Sequence, residues 1–254
     1  MTSPIFHIPH ASRAIPAELA LSFLPDQERL EYELLIMTDA WTDKLVEPIS
    51  TKAKRVLFPV SRLVVDPERF LCDDDEPMSA KGMGAPYTQL SSGEPLRRLT
   101  VADRNHLIST YYIPHHAALS AAVAADLDAS YCSLIVDVHS FSSKPLPHEL
   151  DQSLPRPEIC IGVDEFHSPF PKGFDIISAC GAYGFGCSVN KPFSGSIVPS
   201  AFWNRDHRVK SFMIEVRRDL YMNEKNGVKL GDFDATSKSV CALISALIEH
   251  RTVK

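Results

Sequence analysis

Two histidine-bearing clusters in the sequence have the residue types of a metal site. His7 and His10 stand at the end of a short apolar run, 5–9, which predicts a strand. Asp137 and His139 end a second apolar run, and residues two apart on a strand face the same side. Neutral imidazole is a common zinc ligand, and a neighbouring carboxylate orients its ring. The clusters predict a metal site, although a hydrogen-bonded structural role would also explain each one taken alone.

An arginine-bearing cluster at 61–69 has the residue types of an anion site. Arg62 and Arg69 flank Asp66 beside a predicted strand. The planar guanidinium group matches the two oxygens of a carboxylate, so this cluster is suited to holding an acidic substrate. A surface ion-pair network is the alternative explanation of the same residues.

A glutamate at the end of the last predicted strand is a candidate general base. Glu215 follows the apolar residues 212–214. Partial burial at that position would raise its pKa, and a carboxylate so placed can take a proton from a metal-activated water. A structural pair with Arg217 on the same strand face is the alternative.

Alternating strand and helix patterns supply the framework for these clusters. The predicted strands are 5–9, 55–58, 62–65, 131–138, 158–163 and 209–216, and the predicted helices are 27–46, 101–127 (interrupted near Pro114), 174–183 and 234–251. This alternation predicts a single α/β domain over 1–254, with a mixed, mostly parallel sheet flanked by helices. Open sheets of this kind bind ligands at the carboxyl ends of their strands, where the clusters lie. The polar stretch 72–95 is expected to be a long loop.

Composition excludes several classes of protein. The chain has 254 residues and a formal net charge of -6, which gives no general electrostatic reason to bind nucleic acid or an anionic membrane. It has no apolar stretch of transmembrane length, and its six cysteines form no CxxC pair. We therefore expect a cytoplasmic protein with reduced cysteines. It also lacks a P-loop, an HExxH sequence and a Gly-x-Ser-x-Gly elbow, which argues against an NTPase, a zincin and a serine hydrolase.

Taken in chain order, six segments resemble the N-formylglutamate amidohydrolase (N-formylglutamate deformylase) family. They are Pro9-His10-Ala11, Thr38 to Asp43 around Trp41, Ser61 to Arg69, Asp137 to Ser140, Asn190 to Gly195, and Glu215 to Met222. The resemblance covers nearly the whole chain. That family is in turn similar to the zinc carboxypeptidase and aspartoacylase fold.

The resemblance implies an activity and a role for each cluster. The implied reaction is zinc-dependent hydrolysis of a small N-acyl amino acid, most simply N-formyl-L-glutamate to formate and glutamate, as in histidine degradation. The implied partner is thus a small-molecule carboxylate, while the oligomeric state stays open. The implied ligands of one Zn²⁺ per chain are His10 and His139. Arg62, Arg69, Asn190 and Ser194 are implied to bind the substrate, Arg62 also to stabilise the oxyanion, and Glu215 to be the base.

The chain also departs from the related enzymes at several positions. Arg13 occupies the place of their carboxylate metal ligand and cannot ligate a metal, so Asp39 is our choice of third ligand, with His7 as the alternative. Glu68 stands where the family usually has asparagine and adds a negative charge beside the anion site. Arg217-Arg218 also differs from typical members.

Two other functions use the same residues. A related metallopeptidase or peptidoglycan-type amidase would need a larger site, whereas a site covered by the loop 72–95 would favour small amino-acid derivatives. A binding protein that keeps the fold but holds no metal is the second alternative. Metal content and pocket size separate these possibilities.

Overall fold

One twisted sheet forms the centre of the molecule, which a computed structural model describes over residues 3–250. Its strands are β1 (Ile5–Ile8), β2 (Lys54–Leu57), β3 (Ser133–Phe141), β4 (Ile159–Gly162), β5 (Cys187–Val189) and β6 (Val209–Arg217). They lie in the order β2-β1-β3-β6-β4-β5. The first four in this order are mutually parallel, and β4 runs antiparallel to β6 and parallel to β5. The predicted α/β class with a mixed, mostly parallel sheet is confirmed.

Helices cover both faces of this sheet. They are α1 (Gln27–Met37), α2 (Thr42–Leu45), α3 (Glu47–Ser50), α4 (Val101–Leu107), α5 (Ile113–Ser130), α6 (Ile176–Gly181) and α7 (Phe233–Glu249). Within residues 3–250, none is long and apolar enough to cross a membrane. Arg251, which the sequence placed in the last helix, lies outside the described residues.

Side-chain alternation along the strands separates two cores. Residues such as Val136 and Ile214 pack with α7 on one face. Ile135 and Val209 point the other way and pack with Leu119 of α5. Because the period of a strand is two, the polar residues at odd positions near the ends of β1, β3 and β6 all face the α5 side.

Two predicted elements differ from the structure. The helix predicted for 27–46 ends at Met37, since the chain turns at 38–41 and Trp41 adopts a left-handed conformation with φ of 68°. The predicted strand 62–65 is wrong: this segment is a turn in which the amide of Val64 donates to the carbonyl of Ser61 at 2.9 Å. Its apolar side chains are buried in a turn, which periodicity alone does not distinguish from a buried strand.

The helix predicted for 101–127 is interrupted near its proline, as expected. A π-helical segment, Ile108–Tyr112, joins α4 to α5, and the amide of Ile113 donates to the carbonyl of Ile108. Pro114 has no amide hydrogen to donate and crowds the preceding turn, so a wider turn relieves the conflict.

Candidate active site

The candidate site lies at the carboxyl ends of three neighbouring parallel strands. His7 of β1 is the register partner of Asp137 on β3, and His139 of β3 is the partner of Glu215 on β6. All four side chains are buried. Parallel pairing thus brings together residues more than 200 positions apart in sequence.

Three side chains near the strand ends form a group of possible metal ligands. One ligand atom from each of His10, Asp39 and His139 lies within 4.8 Å of the others. The Oδ2 atom of Asp39 is 3.6 Å from Nδ1 of His10 and 3.2 Å from Nδ1 of His139. The two Nδ1 atoms and one carboxylate oxygen therefore face a common point.

The other nitrogen of each imidazole already has a carboxylate partner. Nε2 of His10 lies 2.9 Å from Oδ1 of Asp66, and Nε2 of His139 lies 3.0 Å from Oδ1 of Asp137. Nδ1 of His10 is buried and has no hydrogen-bond partner among the described residues. A hydrogen on each Nε2, donated to these carboxylates, leaves the Nδ1 lone pairs for a cation. These donors fit a zinc ion.

Asp39 is held in place by a second buried group. Nη2 of Arg218 donates to its Oδ1 at 2.9 Å and to the carbonyl of Ser140 at 3.1 Å. Burial alone would raise the pKa of Asp39, but the adjacent imidazoles of His10 and His139 and the charge of Arg218 hold it well below its usual range. Asp39 is therefore an anion, and its Oδ2 lies between Nδ1 of His10 and Nδ1 of His139.

His7 belongs to a neighbouring network instead. Its Nδ1 lies 2.7 Å from Oδ1 of Asp137, and its Nε2 lies 2.8 Å from Nε2 of His115. His7, Glu68 and Asp137 also have ligand atoms within 4.8 Å of one another. The short separations are those of hydrogen bonds, so this group orients Asp137 beneath His139. Of the two alternatives for a third ligand, Asp39 has the better placement.

Glu215 is buried next to the ligand group. Its Oε2 has no hydrogen-bond partner among the described residues. Burial and the charge of Asp39 outweigh the opposing charge of His139, and the pKa of Glu215 is raised to about 8. A carboxyl with an unpartnered oxygen and a raised pKa can exchange a proton at neutral pH.

The two predicted anion-binding arginines have different surroundings. Arg62 donates from Nη2 to Oδ2 of Asp66 at 2.7 Å and from Nε to the hydroxyl of Tyr87 at 3.2 Å. Arg69 has only long ion pairs, 3.7 Å to Asp66 and 3.6 Å to Glu76, and its Nε is unpartnered within the described chain. Arg69 is thus the guanidinium with free donors.

A cavity of about 290 Å³ joins these groups. The residues that line it are His10, Ile36, Met37, Asp39, Arg62, Glu68, Arg69, His139, Ser140, Phe141, Ser142, Leu146, His148, Glu149, Phe193, Ser194, Met213, Glu215 and Arg218. Several of its lining residues come from the segment after β3 and none from the loop 72–95. Met83 and Tyr87 of that loop are buried in a separate apolar cluster.

Ser194 and Asn190 differ in their placement. Ser194 lines the cavity. The side chain of Asn190 does not; its Oδ1 accepts from the amide of Val163 at 2.9 Å, and its Nδ2 donates to the carbonyl of Val163 at 3.0 Å. Asn190 therefore fixes the loop that carries Phe193 and Ser194 to the cavity.

Sequence reasoning missed several residues of this site. The contacts of Arg218 were not predicted, because Arg217-Arg218 stood out only as a difference from related enzymes. His148 gave no signal, since it stands alone in an irregular segment. The hydrogen bond from His10 to Asp66 was also missed, because it joins strand end and turn across 56 positions.

An α/β sheet with imidazole and carboxylate donors beside a buried glutamate has the arrangement of a hydrolase site. Residues 2–222 match the N-formylglutamate amidohydrolase family, and the chain belongs to this family. No curated protein matched the sequence significantly.

Two solved structures share the fold. The N-formylglutamate amidohydrolase of Ralstonia eutropha JMP134 superposes with a TM-score of 0.81 at 22% identity, over 98% of this chain and 94% of that one. A gene product of Agrobacterium tumefaciens superposes with a TM-score of 0.66 at 20% identity, over 97% and 90% of the respective chains. The family match over residues 2–222 confirms the resemblance given by the six sequence segments, and the two solved structures show the same fold.

Proposed function

We propose that this protein hydrolyses N-formyl-L-glutamate to formate and glutamate and uses one Zn²⁺ per chain. Family membership supports the amidohydrolase activity. The observation that carries the metal is the buried, unpartnered Nδ1 of His10, which faces the Oδ2 of Asp39.

The metal would be held by Nδ1 of His10, Nδ1 of His139 and Oδ2 of Asp39. When bound, Zn²⁺ supplies a Lewis acid that polarises the amide carbonyl and lowers the pKa of water toward about 7. Asp66 and Asp137 accept the Nε2 hydrogens and keep both rings turned toward the ligand point.

Glu215 acts as general base and then as general acid. Its unpartnered Oε2 takes the proton of the attacking water, and the same carboxyl returns that proton to the leaving amine nitrogen. Burial favours the protonated form of Glu215 between these two steps, because removal from water costs a charged carboxylate more than a neutral carboxyl.

The arginines and Ser194 orient the substrate. Arg69, with its free donors, binds a substrate carboxylate. Arg62 is anchored by Asp66 beside His10 and stabilises the oxyanion. Ser194 contacts the substrate, and Asn190 acts by positioning the loop that carries it. The cavity volume favours a small acyl amino acid over a peptide.

The test compares wild type, His139→Ala and a control, His106→Ala, an exposed histidine on α4. We expect about one zinc per chain in wild type and control, measured by plasma emission spectroscopy, and loss of zinc from the His139 variant. Formate and glutamate should form from N-formylglutamate only in the two zinc-containing proteins. Absence of bound metal after zinc is supplied would remove the proposed mechanism and favour a binding protein.

A further inference from the structure

His148 lines the cavity and has no assigned role. It follows β3 on an irregular segment and is half-buried. The ammonium group of Lys81 donates to its backbone carbonyl at 2.7 Å, and this bond is exposed to solvent. This bond links the backbone of His148 to the segment that carries Lys81.

The imidazole of His148 has an unused polar atom. Its Nδ1 is buried and has no hydrogen-bond partner among the described residues. A buried polar atom without a partner costs free energy, so an incoming ligand that supplies a partner gains by it.

The surroundings of this ring are cationic. Burial, together with the charges of Arg62, Arg69 and Lys81, lowers the pKa of His148 to about 4. The ring is therefore neutral at physiological pH, with one nitrogen a donor and the other an acceptor. A neutral donor beside guanidinium groups is suited to an anion.

Arg69 supplies the charge that such a site needs. Among the cavity's guanidinium groups, Arg62 is bound to Asp66 and Arg218 to Asp39, whereas Arg69 has no close partner in the described chain. Arg69 and His148 line the same cavity, and neither belongs to the group of possible metal ligands.

We propose that His148 is a specificity-determining residue which, together with Arg69, binds a substrate carboxylate remote from the amide that is cleaved. The inference rests on the proposed function and deepens it, since it assigns the substrate's second carboxylate to a particular pair of side chains. Nδ1–H of His148 donates one hydrogen bond to that carboxylate, and Arg69 contributes the charge.

The experiment uses His148→Leu, which removes the donor at similar volume, and His148→Gln, which retains an N–H group. The paired substrates are N-formylglutamate and N-formylglutamine, because only the first has the second carboxylate. For His148→Leu we expect KM for N-formylglutamate to rise about 10-fold or more with kcat nearly unchanged, the loss of one hydrogen bond to a charged group. KM for N-formylglutamine should change little, and His148→Gln should recover most of the loss.

A control and a binding measurement separate this proposal from the proposed function. His106→Leu, on the exposed face of α4, should behave as wild type. The Kd of L-glutamate, measured by calorimetry, should rise by the same factor in His148→Leu. Glutamate binding that depends on His148 in a protein that does not hydrolyse N-formylglutamate would support the carboxylate subsite and overturn the hydrolase.

Three outcomes would overturn the proposal. The first is an equal change in KM for both substrates, which is what a purely structural role produces. The second is wild type that does not bind glutamate. The third is measured on wild type and so does not require that His148→Leu folds. Saturating glutamate should shift the ring ¹⁵N resonances of His148, and unchanged resonances would contradict the contact.

Discussion

The two ring nitrogens of each histidine in the candidate ligand group have different partners. In His10 and His139 the Nε2 atoms face Asp66 and Asp137, and the Nδ1 atoms face Asp39. A carboxylate that accepts a hydrogen from one ring nitrogen makes the other a better ligand. The carboxylate partners, and not the histidines alone, make this group suitable for a cation.

The substitution Glu215→Gln tests whether this single residue is the general base. Glutamine keeps the volume and the neutral state of a protonated carboxyl but cannot accept the proton of water. We expect kcat for N-formylglutamate to fall about 10²- to 10⁴-fold, the usual contribution of a general base. Zinc content should remain that of wild type, because Glu215 is not in the ligand group.

Glu31→Gln is the control for this prediction. Glu31 forms an exposed ion pair with Arg13, and its loss should leave turnover unchanged. Turnover of Glu215→Gln close to wild type would remove Glu215 from the mechanism.

Among the structural elements, the end of β4 decides where the Asn190 loop lies. Gly162 closes this strand, and a Cβ built there would be 2.1 Å from the carbonyl oxygen of Gly195. The close approach of these two backbones sets the path that takes Phe193 and Ser194 to the cavity. Only glycine permits this contact.

Gly162→Ala should therefore affect both stability and catalysis. We expect the free energy of unfolding, measured in urea, to fall by about 1–3 kcal/mol, because the added methyl group forces the backbone apart. KM for N-formylglutamate should rise as the loop moves.

Gly181→Ala is the matched control, since nothing lies within 4 Å of a Cβ at this position. Gly181 is the last residue of α6, and alanine there should be neutral or stabilising by up to about 1 kcal/mol. Equal stability of the two variants would contradict the close-approach argument.

For the whole molecule, the buried His115 makes stability depend on pH. His115 is buried beneath His7 and the ring of Phe58. Burial, together with His7, His116 and His10, lowers the pKa of His115 to about 2. Unfolded histidine takes up a proton near pH 6.5.

It follows that acid destabilises the fold through His115. Between about pH 6.5 and pH 2 the unfolded state binds a proton here that the folded state does not, so stability is present above pH 6.5 and is lost as the pH falls. The slope is about 1.4 kcal/mol per pH unit for one such group.

His115→Gln should reduce the slope of the free energy of unfolding against pH by the equivalent of about one bound proton. The measurement is urea unfolding of metal-free protein at several pH values from 6 to 4, compared with wild type and with His106→Gln, whose side chain is exposed. Parallel curves for His115→Gln and wild type would show that His115 does not titrate on unfolding.

Local sequence predicted much of the framework. Apolar runs located five of the six strands, since β1, β2, β3, β4 and β6 each overlap a predicted segment. The short strand β5 was missed, and the turn 62–65 was predicted as a strand. β5 is short, partly buried and has a serine at its centre, so it gives no apolar run. The turn 62–65 is apolar and buried, and this pattern does not distinguish a turn from a strand.

Order along the chain determined which residues belong to the candidate site. The sequence by itself singled out His10, Asp39, His139, Arg62, Arg69, Ser194 and Glu215, all of which line the cavity. Position at a strand end accounts for His10, His139 and Glu215, because parallel strands bring their carboxyl ends to one edge. The family resemblance supplied Asp39 and Ser194, and also Asn190, which does not line the cavity.

Only the tertiary structure decided how those residues are paired. Asp39 rather than His7 completes the group with His10 and His139, although His7 is closer in sequence to His10. Arg218 holds Asp39 from 179 positions away, and His148 reaches the cavity from an irregular segment. Distances of a few ångströms between remote residues follow from register, loop path and burial, and spacing along the chain does not contain them.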